Sequence, residues 1–124
     1  MYHSIVIEES LDDKNVLKNL KILNTKIDGD WHLHIIEVPD EDLETTLKLL
    51  QSHLVKNRPY YFHFYNDGKN LIIVFRKKVF RMDPKDKNTW QEAQEYGDKI
   101  LKISVEQLDF YPTRFSDEEN WLIK

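Results

Sequence analysis

Two Asp-Gly pairs, Asp28-Gly29 and Asp67-Gly68, constrain this chain more than any other feature. The first lies between "KILNTKI" and "WHLHIIEV", the second between "YYFHFYN" and "LIIVF". The flanking runs are rich in β-branched and aromatic residues, and Asp-Gly suits the tight turns of hairpins. Two hairpins call for an antiparallel sheet, because parallel neighbours need a long crossover. Two more segments read as strands: residues 2–8, with β-branched residues at their centre, and a short "VFRM" at 79–82.

Helical periodicity fills the gaps. Ser10 followed by Asp13 resembles a capping box, and Val16, Leu17 and Leu20 share one face, so a short helix is expected over about 10–20. Asp40 is placed as an N-cap after Pro39. Glu41, Asp42 and Glu44 then crowd the first turn, where the helix dipole favours negative charge. Leu43, Leu47, Leu50 and Leu54 form an apolar stripe. Trp90, Ala93, Gly97, Ile100 and Leu101 predict a helix through 88–102. Gly97 either lets it approach the sheet closely or ends it as a C-cap. Ser104 with Gln107, and Ser116 with Glu119, mark two short C-terminal helices.

The order is β-α-β-β-α-β-β, and its first six elements resemble the ferredoxin-like split βαβ pattern. The expected fold class is therefore α+β: a ferredoxin-like βαββαβ antiparallel sheet with an added hairpin strand and C-terminal helices. Right-handed crossovers put two helices on one face and the first strand between the third and fourth. The cadence of the whole chain is similar to that of small prokaryotic α+β proteins of no assigned function. That resemblance brings no functional residues with it, and the fold by itself implies no activity.

The 124 residues fit one domain, 1–124, with a tail at 110–124 that either wraps the sheet or is partly disordered. With 40% hydrophobic and 32% charged residues, a core can form beneath a charged surface. Cysteine is absent, which removes disulfides, thiolate metal sites and cysteine nucleophiles. The N-terminus "MYHSIVIEES" lacks the basic start and apolar run of a secretory signal. No stretch approaches the roughly 20 apolar residues of a membrane span. A cytoplasmic location without membrane contact is expected.

The strand at 60–66 alternates Tyr60, Phe62, Phe64 against Tyr61, His63, Tyr65. Placing the phenylalanines under the helices, together with Ile5, Ile7, Trp31, Leu33, Ile35, Leu71, Ile73 and Phe75, leaves a second face. It carries Ser4, Val6, His32, His34, Ile36, Val38, Tyr61, His63, Tyr65, Ile72 and Val74. This is too apolar for solvent. Three covers are open: a second copy in a homodimer, the chain's own tail through Phe110, Tyr111, Phe115 and Trp121, or a small-molecule ligand. The homodimer is the leading expectation, and with it a binding or interaction module. The alternative is a small-molecule-binding protein or enzyme using a Tyr/His cluster. Ligand or interface candidates are His32, His34, Tyr61, His63, Tyr65 and Val74.

The chemistry is less marked. His32 and His34 point to one side of a strand and could share a metal ion, with His63 approaching. No carboxylate accompanies them in the motif, so no cofactor is expected. His3 and His53 show no partner. A phosphate loop, a nucleophile elbow and HExxH are all missing. Residues 76–87 carry six basic residues against Asp83 and Asp86, a local net of +4, within a chain of formal charge −4. Sheet aromatics beside that segment resemble an RNA-recognition sheet, but "WHLHIIEV" lacks the motif such a sheet carries at that position. A lysine-blunted sheet edge is the better expectation, and nucleic acid is not an expected partner.

Overall fold

The computed structural model describes residues 1–123. Six strands form one open sheet: β1 Tyr2–Ile7, β2 Lys21–Asp28, β3 Trp31–Val38, β4 Tyr61–Tyr65, β5 Leu71–Phe75 and β6 Val79–Met82. Their order is β2-β3-β1-β4-β5-β6, and every neighbouring pair is antiparallel. β1 thus lies between β3 and β4, where its central Ile5 sits opposite Ile35 on one side and His63 on the other. The hairpin turns fall at residues 29–30, directly after Asp28 at the end of β2, and at residues 66–70, which include Asp67 and Gly68. In the second, Asp67 and Gly68 both have positive φ, at 59° and 81°, which matches the twist of the flanking strands. β2 is an edge strand with no buried residue, and a bulge between Ile22 and Asn24 breaks its register.

Helix α1, Leu43–Ser52, buries Leu43, Leu47 and Leu50 as its apolar stripe requires. The cap is not Asp40: a short 3-10 turn, Asp40–Asp42, precedes the helix, and no side chain caps either end of that turn or the start of α1. The expected helix over 10–20 is also different. Two 3-10 segments, Glu8–Ser10 and Lys14–Asn19, take its place. Ser10 Oγ donates back to the Ile7 carbonyl at 2.6 Å. Asp13 caps the second segment itself, accepting from the Asn15 N–H at 3.0 Å. Both side chains bond nearby backbone and interrupt the helix, and pieces this short do not sustain an α-helix. Even so, Leu11 and Val16 pack with Leu43, Leu47, Leu50 and Leu54 in one cluster, so both connections cover the same face of the sheet.

The helix expected at 88–102 has three geometries. A 3-10 turn, Lys87–Trp90, leads into α2, Gln91–Glu95, which relaxes into a π turn, Tyr96–Ile100. The helix does continue through Gly97. A Cβ there would lie 2.7 Å from Leu108 and 3.4 Å from Phe75 of β5, so only glycine allows this approach. The wider π turn rotates the residues after it, and Ile100, expected to be inward, is 65% exposed. Ser104 makes no side-chain cap, though a 3-10 turn, Val105–Leu108, follows it. The tail ends in a 3-10 turn, Phe115–Asp117, and α3, Glu118–Ile123.

The face assignment requires correction. Val6, Ile36, Val38, Ile72 and Val74 lie with Phe62 and Phe64 beneath α1. Ile5, Leu33, Ile35, Leu71, Ile73 and Phe75 lie with Tyr61, His63 and Tyr65 on the other side. The parity of β4 is as expected, while β1, β3 and β5 are reversed relative to it. The cause is that both faces are covered. β5 is buried at all five positions, so alternation of polarity carries no sign of direction. The second face is closed by the chain itself: Trp90, Ala93, Ile103, Leu108 and Phe110 pack over one half, Trp121 and Leu122 over the other. Among the described residues, no helix is long and apolar enough to cross a membrane.

Candidate functional site

The six candidate residues do not come together. His34 sits opposite Val6 across β1–β3, so His32 and His34 belong to the α1 side of the sheet. His63 sits opposite Ile5 on the other side. The sheet therefore separates the two histidines of β3 from His63, and no site can use all three. Val74 is fully buried under α1 opposite Phe62 and reaches no surface.

His32 and His34 face the turn that follows β1. Glu9 accepts from the His32 backbone N–H at 2.7 Å and meets its Nδ1 at 2.9 Å. His34 meets Glu8 through Nε2 at 3.1 Å and the Thr25 hydroxyl through Nδ1 at 2.9 Å. Burial raises the Glu9 carboxyl, but the two hydrogen bonds from His32 outweigh it and hold the group below its usual range. Donor atoms of Glu8, Glu9 and His32 all lie within 4.8 Å of one another. This group of three includes His32 but not His34. Lys14 Nζ, 3.6 Å from Glu8, already offsets part of their charge.

His3 and His53, which show no partner in the sequence, are both paired. His53 meets Asp12 at 2.7 Å. His3 Nδ1 meets Glu118 of α3 at 2.6 Å, and its ring stacks on Phe115 at 3.9 Å. The fully buried Tyr65 donates its hydroxyl to the same Glu118 oxygen. Burial, then the adjacent carboxylate, pushes the Tyr65 phenol far up. Tyr65 is thus a clamp for the C-terminal helix. A second clamp lies at the β4–β5 turn, where Gly68 N–H donates to the Thr113 carbonyl at 2.8 Å and Asp67 accepts from the Phe115 N–H at 3.0 Å.

Between these clamps and the end of the β2–β3 hairpin is a cavity of about 530 Å³. Its floor is Ile5, Ile7 and Leu33 of the sheet. Trp31, Tyr60, Tyr61, Tyr111 and Trp121 form aromatic walls, and Lys26, Asp28, Arg58 and Asp109 supply charge. Trp31 and Tyr60 meet edge to face at 6.4 Å, which joins the hairpin end to the loop entering β4. The Tyr61 hydroxyl donates to the Gln107 carbonyl, and burial pushes that phenol up too.

His63 is the polar group on this floor, and it is 7% exposed. Its Nε2 lies 3.0 Å from the Pro112 carbonyl oxygen. A carbonyl only accepts, so Nε2 carries the proton and Nδ1 holds a bare lone pair. Among the described residues nothing donates to Nδ1, and no fully buried side-chain nitrogen or oxygen lacks a partner. Nδ1 is therefore open to the cavity. Burial lowers the imidazole to about 4, against a smaller opposing effect of the Pro112 carbonyl, so the ring is neutral at neutral pH.

Trp31, Arg58, Asp109 and Trp121 were not legible as site residues. They come from four separate stretches; Trp31 had a signal, a large aromatic beside a hairpin turn, and Trp121 was expected only as part of a tail covering the sheet. The basic segment 76–87 borders the other sheet edge. Arg81 pairs with Glu44 at 2.7 Å, and Lys78 lies over the rings of Phe80 and Tyr96 at 5.4 and 5.7 Å. Compared with known protein families, with curated proteins and with solved structures, the chain finds no significant match in any of the three.

Proposed function

We propose that this protein binds a small organic molecule in the aromatic cavity above His63, within a ferredoxin-like α+β fold. The ferredoxin-like reading is supported by β1 lying between β3 and β4 and by both crossovers covering one face. The binding reading rests on one observation: a buried, neutral imidazole presents an unshared nitrogen lone pair to a cavity of ligand size. An acceptor that faces a cavity can take a hydrogen bond from a ligand donor in place of water. Cavities of this volume, mostly apolar with a few placed polar groups, are the usual form of small-molecule sites.

Binding is favoured over catalysis. A general acid or base works best with a pKa near the working pH, and with His63 lowered to about 4 its acidic imidazolium form is scarce at neutral pH and the neutral ring is a weak base. The Tyr61 hydroxyl is already committed to a carbonyl. Among the described residues, no serine, threonine or cysteine lines the cavity to act as a nucleophile. The burial of Val6, Tyr65 and Val74 within the chain supports a ligand over a second copy as what the protein meets.

The test is a ligand-observed NMR screen of a fragment library against the wild type and His63→Phe, with circular dichroism as the folding control. Fragments that bind the wild type, compete with one another and lose affinity in a folded His63→Phe variant are expected. A wild type that binds no fragment, or a variant that binds the same set equally well, overturns the proposal.

A further inference from the structure

The charges around the cavity narrow what it would hold. Four charged residues line it, two of each sign, so the rim as a whole favours neither cations nor anions. They are not equally free. Lys26 Nζ donates to the Trp121 carbonyl at 2.9 Å and lies 4.9 Å above that indole ring, so it ties α3 to the hairpin. Asp109 accepts from the Tyr111 N–H at 3.4 Å within its own turn. Arg58 and Asp28 remain. Among the described residues neither side chain makes a hydrogen bond or an ion pair, and they do not pair with each other.

Their positions are related. Asp28 sits opposite Trp31 at the hairpin end, and Arg58 lies two residues before Tyr60. The Trp31–Tyr60 contact brings these two stretches to one end of the cavity. That end therefore offers one unpaired guanidinium and one unpaired carboxylate, with aromatic walls behind them. Deeper in, His63 offers an acceptor and no donor. A guanidinium matches a carboxylate through two parallel hydrogen bonds, and a carboxylate matches an ammonium group.

Resting on the reading of the cavity as a binding site, we propose that its ligand is an aromatic zwitterion of the amino-acid class whose ring carries an O–H or N–H donor. The carboxylate pairs with Arg58, the ammonium group with Asp28, and the flat ring lies between the aromatic walls with its donor on His63 Nδ1. A neutral ligand suits a rim of balanced charge, and the planar ring suits walls made of indole and phenol faces.

Isothermal titration calorimetry with four probes separates these contacts. L-Tyrosine carries all three groups. L-Phenylalanine lacks the ring donor, tyramine lacks the carboxylate, and 3-(4-hydroxyphenyl)propionate lacks the ammonium group. Each is expected to bind more weakly than L-tyrosine by about tenfold, the effect of one lost hydrogen-bonded or charged contact. Arg58→Ala and Asp28→Asn change exposed side chains and leave the core untouched. Arg58→Ala should weaken L-tyrosine about tenfold and leave tyramine unchanged. Asp28→Asn should weaken L-tyrosine and leave the propionate unchanged. Equal affinity for L-tyrosine and L-phenylalanine, or an L-tyrosine affinity that ignores both variants, overturns the proposal. If neither L-tyrosine nor L-tryptophan binds at millimolar concentration while a screened fragment does, the ligand class is wrong and the cavity reading stands. If nothing occupies the cavity, both fall.

Discussion

Lowering the pH should weaken this fold through His63, and the size of the effect can be worked from its surroundings. The ring is buried against Tyr65, stacked at 5.3 Å, and donates to the Pro112 carbonyl at 3.0 Å. Burial lowers it from 6.5 to about 4. In the unfolded chain the same imidazole takes up a proton near 6.5, so between 6.5 and 4 the unfolded state binds more protons than the folded one. The stability is fully present above 6.5, falls as the pH drops toward 4, and levels off below. At about 1.4 kcal/mol per tenfold change in proton affinity, the loss comes to ~3 kcal/mol. That is a large part of an ordinary folding free energy of roughly 5–15 kcal/mol. The comparison protein is His63→Gln, whose amide can still donate to Pro112 but does not titrate. It should be less stable at pH 7 by about 1–3 kcal/mol through poorer packing. Urea unfolding at a series of pH values between 7 and 4, followed by tryptophan fluorescence, gives both curves. Every other group is common to both proteins and cancels in the difference. The advantage of the wild type should shrink by ~3 kcal/mol across this range and vanish or invert near pH 4. Parallel curves would refute the reasoning, as would an NMR titration of the His63 ring with a midpoint near 6.5.

Two further predictions concern the layer that closes the cavity side of the sheet. Gly97→Ala places a methyl group 2.7 Å from Leu108 and should destabilise the protein by about 1–3 kcal/mol despite the better helix propensity of alanine; adding Leu108→Ala should make the glycine substitution nearly neutral, and a stabilising Gly97→Ala in thermal unfolding would count against the packing described. Glu118→Leu leaves the Tyr65 hydroxyl and His3 Nδ1 without their acceptor, at about 1–3 kcal/mol each, and should speed proteolytic cleavage after Thr113; unchanged stability and protease resistance would show that α3 is held elsewhere.

The elements were legible wherever the signal is local. Asp28-Gly29 and Asp67-Gly68 specify their turns, and the leucines at 43, 47 and 50 specify the buried side of α1. Where local signals compete, reading falters. Ser10 and Asp13 each bind nearby backbone, so a segment with a helical apolar pattern becomes two 3-10 pieces. Ile100 has the right spacing from Trp90, Ala93 and Gly97 for an α-helix, but the π turn moves it to solvent.

The sequence by itself determined where strands and turns fall, that β4 is aromatic on both sides, and that its two sides differ: phenylalanine on one, tyrosine and histidine on the other. Only the tertiary structure decided what those sides meet. A half-exposed strand reveals its orientation through polarity. Strands buried on both faces, such as Leu71–Phe75, do not, so their direction is set by which layers arrive from elsewhere in the chain. The partners of the histidines follow the same logic. His3 meets Glu118 across 115 positions, and His63 meets Pro112 across 49. The tail that supplies those partners also walls the cavity, and folding alone brings it over the sheet. A titratable side chain takes its tautomer and charge from its neighbours in space, so the one open nitrogen of His63 exists only once the sheet is covered.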